Sequence, residues 1–196
     1  MGTREQKAAI RTEVLARRKA MQPSEISEKS ESIRRRINFL DAFHGARTVM
    51  LYVPIRNEVD TTGLIADCHS LGKTVLLPRT RRLLHELAPV VFSAGDALVK
   101  GEFGIPEPPL TNPVLPVGEI DLVLLPGVAF SRDGRRLGYG GGFYDRFTRR
   151  PDYRAISLGL AFEIQVVPWI PLGRQDRPVD LVVTESRVII PKRRHF

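Results

Sequence analysis

Residues 124–146 read LLPGVAFSRDGRRLGYGGGFYDR, and the rest of the chain is organised around them. They continue an apolar run, Ile120–Leu125, whose length and bulk predict a buried strand. Ser131-Arg132-Asp133-Gly134 has turn composition. Arg135 and Arg136 follow, and then Gly138, Gly140, Gly141 and Gly142, before a helical start at Phe143-Tyr144-Asp145-Arg146. A short helix over 143–150 is expected, stopped at Pro151.

This strand, glycine loop and helix suit a phosphate chain. Glycines let backbone N–H groups converge on one anion, a helix starting near Gly142 adds partial positive charge, and the two arginines add full charges. The stretch is not a P-loop, since no Lys follows the last glycine, and it lacks the third glycine of the dinucleotide fingerprint. A plain glycine-rich turn is the alternative; the arginines and Asp145 favour phosphate. Asp145 stands where a Mg²⁺ ligand would, because magnesium takes one or two carboxylates plus phosphate oxygens.

The 196 residues and 42% hydrophobic content fit a single domain, 1–196, with an ordinary core. No apolar run reaches the length of a membrane span, no secretory h-region is visible, and Gln6 stands where a myristoylation signal needs Ser or Thr. One cysteine, Cys68, excludes an internal disulfide framework and a cysteine metal cluster. A cytoplasmic monomer is expected, with no membrane or nucleic-acid partner.

The net charge is +8. Residues 1–36 hold ten Lys/Arg against five Glu, a net +5, and Lys192-Arg193-Arg194-His195 reads as a solvated tail. On a helix over 3–21, Arg4, Lys7, Arg11 and Arg18 fall within about 60° of one another. Ile10, Val14 and Met21 flank that stripe on one side, Ala8 and Leu15 on the other. A solvated stripe would lie opposite the apolar residues; this one lies among them, so it is expected to face the protein body. Cations so placed either meet an anionic ligand or pair internally.

A second helix is expected from Pro23-Ser24, capped by Ser24, with Arg34, Arg35 and Arg36 as surface charge. Thr48–Ile55 reads as a strand leading to a polar loop, 56–60. A helix at 62–70 ends at Gly72, with Cys68 and His69 as packing or surface residues, and Lys73–Pro78 is the next strand. Strand, loop, helix and strand favour parallel pairing. Arg79–Arg82 is basic, Leu84–Phe92 reads as an antiparallel strand interrupted by Pro89, and Phe103–Pro109 is a rigid connection. Strands follow at 155–162, 180–183 and 188–190. His44, His69, His85 and His195 form no motif, and no nucleophile constellation is present. Arginines, a glycine loop and a few carboxylates suit phosphoryl transfer.

R-L-G-x-G-G-G-F-Y-D-R after a strand ending L-P-G-V-A-F closely resembles the 5-formyltetrahydrofolate cyclo-ligase (methenyltetrahydrofolate synthetase) family, from Lys7 to about Asp180. The resemblance implies a three-layer α/β domain around a mostly parallel sheet, like sugar-phosphate isomerases and CoA transferases. It implies conversion of 5-formyltetrahydrofolate and ATP, with Mg²⁺, to 5,10-methenyltetrahydrofolate, ADP and phosphate. The formyl oxygen takes the γ-phosphoryl group, N10 closes the ring and phosphate leaves.

Residue roles follow from the same resemblance. Lys7 and Arg11 match a Lys-x-x-x-Arg pair contacting ATP. Arg136, Leu137, Gly138, Tyr139, Gly140, Gly141, Gly142, Phe143 and Tyr144 form the nucleotide loop, with Arg136 stabilising phosphate charge. Asp145 and Asp176 match Mg²⁺ ligands, Asp180 being the alternative to Asp176. Glu58 matches the pterin-binding acid and Val53 an apolar pterin contact. Tyr144 stacks on or hydrogen-bonds the folate, unless it is core packing. Phe103–Pro108 matches a segment shaping the substrate cleft. Some members carry Lys where this chain has Gly141. Two other readings stay open: an ATP- or CoA-using enzyme with another substrate, and a basic nucleic-acid-binding module, which no recognised binding pattern supports.

Overall fold

The computed structural model describes residues 2–173 and 176–191. The tail 192–195 and residues 174–175 lie outside the described residues. Helix α1, Thr3–Lys19, carries Glu5 in its first turn and Arg17, Arg18 and Lys19 in its last, each sign matched to the helix dipole. Helix α2, Pro23–Asn38, has Pro23 at N1. Its cap residue is Gln22, not the expected Ser24, because a proline at N1 fixes the start two residues earlier. The remaining helices are α3 (Asp41–Gly45), α4 (Thr62–Ser70) and α5 (Phe143–Thr148).

Among the described residues, twelve strands follow the order β1 (Thr48–Met50), β2 (Thr74–Arg81), β3 (Glu86–Val91), β4 (Val99–Lys100), β5 (Pro106–Glu107), β6 (Leu122–Leu125), β7 (Ala129–Ser131), β8 (Arg136–Leu137), β9 (Ile156–Leu160), β10 (Val166–Val167), β11 (Leu181–Val183) and β12 (Val188–Ile189). Seven form the central sheet, in the order β12-β11-β9-β6-β1-β2-β3. The five inner strands are parallel, and β3 and β12 close the edges antiparallel. The expected Pro89 interruption is accommodated on edge strand β3, in register with Pro78 of β2. Leu84 belongs to a short 3-10 turn before β3 rather than to the strand.

Side-chain alternation along β6 builds two cores. Leu122 and Leu124 join Ile33, Ile37, Phe43, Leu64 and Cys68 beneath α2, α3 and α4. Val123 and Leu125 join Phe130, Phe147 and Tyr153 on the other face. Helix α1 packs on the β7–β8 hairpin through Val14, Val128, Ala129 and Leu137. Cys68 is fully buried, and burial pushes its thiol up to about 12. His69 bonds the Phe92 carbonyl at 2.8 Å, a packing role. Arg34 is more than surface charge: it grips Asp67 of α4 with two bonds, 2.7 and 2.6 Å. No helix among the described residues is long and apolar enough to cross a membrane.

One strand end differs from expectation for a local reason. The strand expected over 48–55 stops at Met50. Thr61 donates to the Tyr52 carbonyl at 2.6 Å and the Tyr52 hydroxyl to the Val59 carbonyl at 3.0 Å, so side chains replace the ladder. Strand β9 passes beneath Phe130, whose ring would lie 2.4 Å from a Cβ at Gly159. Gly159→Ala is therefore expected to cost about 1–3 kcal/mol by overpacking. A lower urea midpoint with an unchanged m value would report it.

Candidate active site

The chain leaves β1 towards β2 on one side and leaves β6, by way of the hairpin and α5, towards β9 on the other. Strands β1 and β6 are adjacent and parallel, so their carboxyl ends share one edge while their connections diverge. A crevice must open there, where open α/β sheets bind ligands. The cavity at this point has a volume of about 570 Å³. Lys7 and Arg11 of α1, Val53 and Glu58 after β1, the whole segment 136–145, and Asp176 line it together. The residues given a role by the resemblance, apart from the alternative Asp180, thus border one space.

One end of the cavity is ionic. Lys7 is ion-paired with Asp176. Arg11 donates from Nε to the Gly138 carbonyl at 2.8 Å, fixing the glycine loop to α1. Arg136 is 7% exposed and donates to Asp145 Oδ1 at 2.6 Å and to the Pro126 carbonyl at 3.2 Å. Its guanidinium lies 5.6 Å from the Tyr144 ring centre. Arg135, expected beside the loop, turns away to Asp133 and the Ile170 carbonyl, 2.8 Å from each. Arg4 points to solvent, so the inward stripe is Lys7, Arg11 and Arg18.

The loop's glycines divide their work. Gly140 and Gly142 have φ of 109° and 68°, conformations costly for other residues. At Gly138 and Gly141 a Cβ would stand 3.0 Å from Arg136 Nη1 and from the Phe143 ring. Helix α5 spans six residues, two fewer than expected, so Arg136, Arg11 and Lys7 supply most of the positive field.

The other end is mostly apolar, around the acid Glu58. Val53, Ile55, Pro78, Leu87, Phe103 and Pro106 form walls around Glu58, which is 5% exposed. Glu58 Oε2 accepts from the Ile55 backbone at 3.0 Å and Oε1 from the Tyr139 hydroxyl at 3.0 Å. Burial raises its pKa, against the pull of the Ile55 N–H, Arg18, the Tyr139 hydroxyl and Arg56. Tyr139, expected in the nucleotide loop, sends its side chain to this acid and leaves only its backbone to face phosphate. Burial and the Glu58 charge push its hydroxyl up to about 12. Tyr144 shifts upward for the same two causes.

Sequence reasoning missed Tyr52 and Arg56, which border the acid; the segment expected to shape the cleft does line it, through Phe103, Ile105, Pro106 and Glu107, the last 2% exposed. Glu107 accepts from the Thr80 backbone at 3.1 Å, with Arg79 Nε 4.0 Å away. The basic run 79–82 and the proline-rich segment were the only signals for that wall. Asp180 lies outside the cavity and accepts from the Ser157 backbone at 2.9 Å, as a strand-edge residue would.

Among the described residues no cluster of three or more His, Cys, Asp or Glu side chains is placed to hold a metal ion. Asp145 and Asp176 nevertheless face the cavity as hard oxygen donors, and each carboxylate keeps lone pairs beyond its present contacts. Two carboxylates beside a phosphate-binding loop fit magnesium, which is held partly by phosphate oxygens.

A model of the 5-formyltetrahydrofolate cyclo-ligase family matches residues 3–185. The 5-formyltetrahydrofolate cyclo-ligase of Escherichia coli (strain K12) is 34% identical over 184 residues, spanning 88% of this chain and 96% of that protein. That of Mycolicibacterium smegmatis is 32% identical over 194 residues, spanning 95% and 97%. The NMR structure of Aquifex aeolicus 5,10-methenyltetrahydrofolate synthetase superposes with a TM-score of 0.85 at 32% identity, covering 97% of this chain and 95% of that one. With the match running through both α1 and the glycine loop, the chain belongs to the 5-formyltetrahydrofolate cyclo-ligase family.

Proposed function

We propose that residues 1–196 form one cyclo-ligase domain that converts 5-formyltetrahydrofolate and ATP to 5,10-methenyltetrahydrofolate, ADP and phosphate, with magnesium. The observation that carries this reading is the two-ended cavity. An apolar end that holds the buried carboxylate of Glu58 meets an ionic end with a glycine loop, three cations and two aspartates. A pterin suits the first end. Its adjacent ring N–H and amino donors match a bidentate carboxylate acceptor, here Glu58, and its faces match Val53 and the apolar walls. A triphosphate suits the second.

Lys7, Arg11 and Arg136 neutralise phosphate charge, and the backbone of 138–142 donates to phosphate oxygens. Asp145 and Asp176 would hold magnesium, which when bound would neutralise phosphate charge. The formyl oxygen attacks the γ-phosphoryl group and ADP departs; N10 then attacks the activated carbon and phosphate departs. An amide oxygen is a poor leaving group and phosphate a good one. Ring closure is intramolecular, so orientation by the cavity walls supplies much of its rate. Arg136, between Asp145 and the Tyr144 ring, is the cation beside the transferred group.

The inward turn of Lys7, Arg11 and Arg18 removes the main support for a nucleic-acid-binding surface. A cytoplasmic monomer without membrane or nucleic-acid partners completes the reading; the single cysteine, buried as a thiol, suits a reducing compartment.

The test is growth of the methenyl-folate absorbance when protein, 5-formyltetrahydrofolate and MgATP are mixed. Product is expected only with both ATP and Mg²⁺, and none from folded protein would overturn the assignment. Asp145→Asn removes a metal donor and half of the Arg136 ion pair. It is expected to lower kcat by about 100-fold or more, partly offset by raised Mg²⁺. Glu58→Gln keeps the shape but loses the charged acceptor. Folate binding should weaken about 10- to 100-fold while ATP affinity holds, as measured by calorimetry with each ligand. Equal losses for both ligands would mean that Glu58 shapes the whole cleft.

A further inference from the structure

Arg18 is 1% exposed, four residues beyond Val14 on the face of α1 that packs against the hairpin. Its Nη1 donates to the Gly127 carbonyl at 3.2 Å, its Nη2 donates to the Tyr139 hydroxyl, and its Nε has no hydrogen-bond partner. Neither acceptor carries a charge. A buried guanidinium is costly unless an anion compensates it. The anion reached through these contacts is Glu58, one hydroxyl away: Tyr139 accepts from Arg18 and donates to Glu58 Oε1 at 3.0 Å.

The surrounding geometry holds that hydroxyl in place. The guanidinium of Arg18 lies 5.7 Å from the Tyr139 ring centre and that of Arg56 5.3 Å. Arg56 and Asn57 have φ of 49° and 59°, strained for non-glycine residues and kept where the surroundings over-determine them. Asn57 Nδ2 lies 3.5 Å from the Arg18 carbonyl, so α1 also contacts the loop that presents Glu58.

We infer that Arg18 is a positioning residue for folate recognition: through the Tyr139 hydroxyl it orients the Glu58 carboxylate and ties it to the glycine loop. The inference rests on the proposed pterin role of Glu58. Tyr139 lies between Gly138, whose carbonyl Arg11 holds, and Gly140. The residue that completes the acid's contacts therefore belongs to the loop that cradles phosphate. Arg18 touches neither ligand and acts through Tyr139.

The groups facing Glu58 are Arg18 from α1, Arg56 on its own loop, Tyr139 on the glycine loop, Tyr52 beyond β1 and Tyr144 on α5. Burial raises the Glu58 pKa, whereas Arg18, the Tyr139 hydroxyl and Arg56 pull it back. Folate affinity that needs the carboxylate is present above that pKa and lost as pH falls through it. Removing the hydroxyl raises the pKa, so the acid limb must move to higher pH.

Tyr139→Phe keeps the ring between the two arginines and the Arg18–Gly127 bond, and deletes only the link. Equilibrium dialysis of 5-formyltetrahydrofolate across the acid range should show about 10-fold weaker binding and an acid limb displaced upward. ATP affinity should change less. Arg18→Lys, which keeps the charge but not the fork, should shift the limb in the same direction by less. A Tyr139→Phe variant with unchanged folate affinity and an unmoved acid limb overturns the inference. So does an equal loss for folate and ATP with no change in pH profile, which marks a merely structural contact. Because the readout is binding, a wild type that binds folate without turnover sinks the proposed reaction and still tests the relay. A wild type that binds no folate sinks both.

Discussion

Parallel pairing of β1 with β6 is the constraint on which the molecule turns. Two adjacent parallel strands must end at one edge of the sheet, and here the chain leaves them in opposite directions. Backbone geometry opens the crevice before any side chain is chosen. The loop after β1 brings Val53 and Glu58; the loop after β6 brings 136–145. Neither loop alone contains an apolar end and an ionic end. The sheet holds the two 81 residues apart in sequence and 3.0 Å apart in space, Tyr139 hydroxyl to Glu58 carboxylate.

Helix α1 stands outside the sheet and closes the crevice from above the hairpin. It is amphipathic in an unusual sense: its inward face carries Lys7, Arg11 and Arg18 beside Val14. Lys7 meets Asp176, Arg11 the Gly138 carbonyl, and Arg18 the Gly127 carbonyl and the Tyr139 hydroxyl, so two of the three cations grip neighbouring residues of the glycine loop. Docking of the first helix therefore assembles the site as well as the fold.

What was legible in the sequence is what a short window can encode. The Ile120–Leu125 run, the 62–70 helix and its end at Gly72, and the inward basic stripe are local patterns of period, composition or capping. The early end of β1 was not legible, because Tyr52 and Thr61 satisfy the backbone from nine residues apart. Nor was the left-handed pair Arg56–Asn57, which has no glycine to announce it. The stripe showed that Arg18 needed a partner but not that the partner was a tyrosine. Glu107 joined the cavity only because the β2–β3 hairpin and the proline-rich segment fold over it. The split between Arg135 and Arg136 depended on which of two adjacent side chains the hairpin turns inward.

The pairing of charges in the cleft follows from the same economy of burial. Lys7, Arg11, Arg56 and Arg136 line it with Glu58, Glu107, Asp145 and Asp176, so the formal charges balance. An unpaired charge in so enclosed a place would cost several kcal/mol. Lys7 with Asp176 and Arg136 with Asp145 remove that cost inside the protein. A magnesium–phosphate ligand carries both signs, so it can be admitted by exchanging partners: phosphate oxygens for the two cations, metal for the two aspartates. With glycine at 141, the loop contributes no cation of its own beyond Arg136. In the proposed reaction, much of the positive charge opposite the phosphates would then come from Lys7 and Arg11 of α1, tying nucleotide affinity to the docking of the first helix.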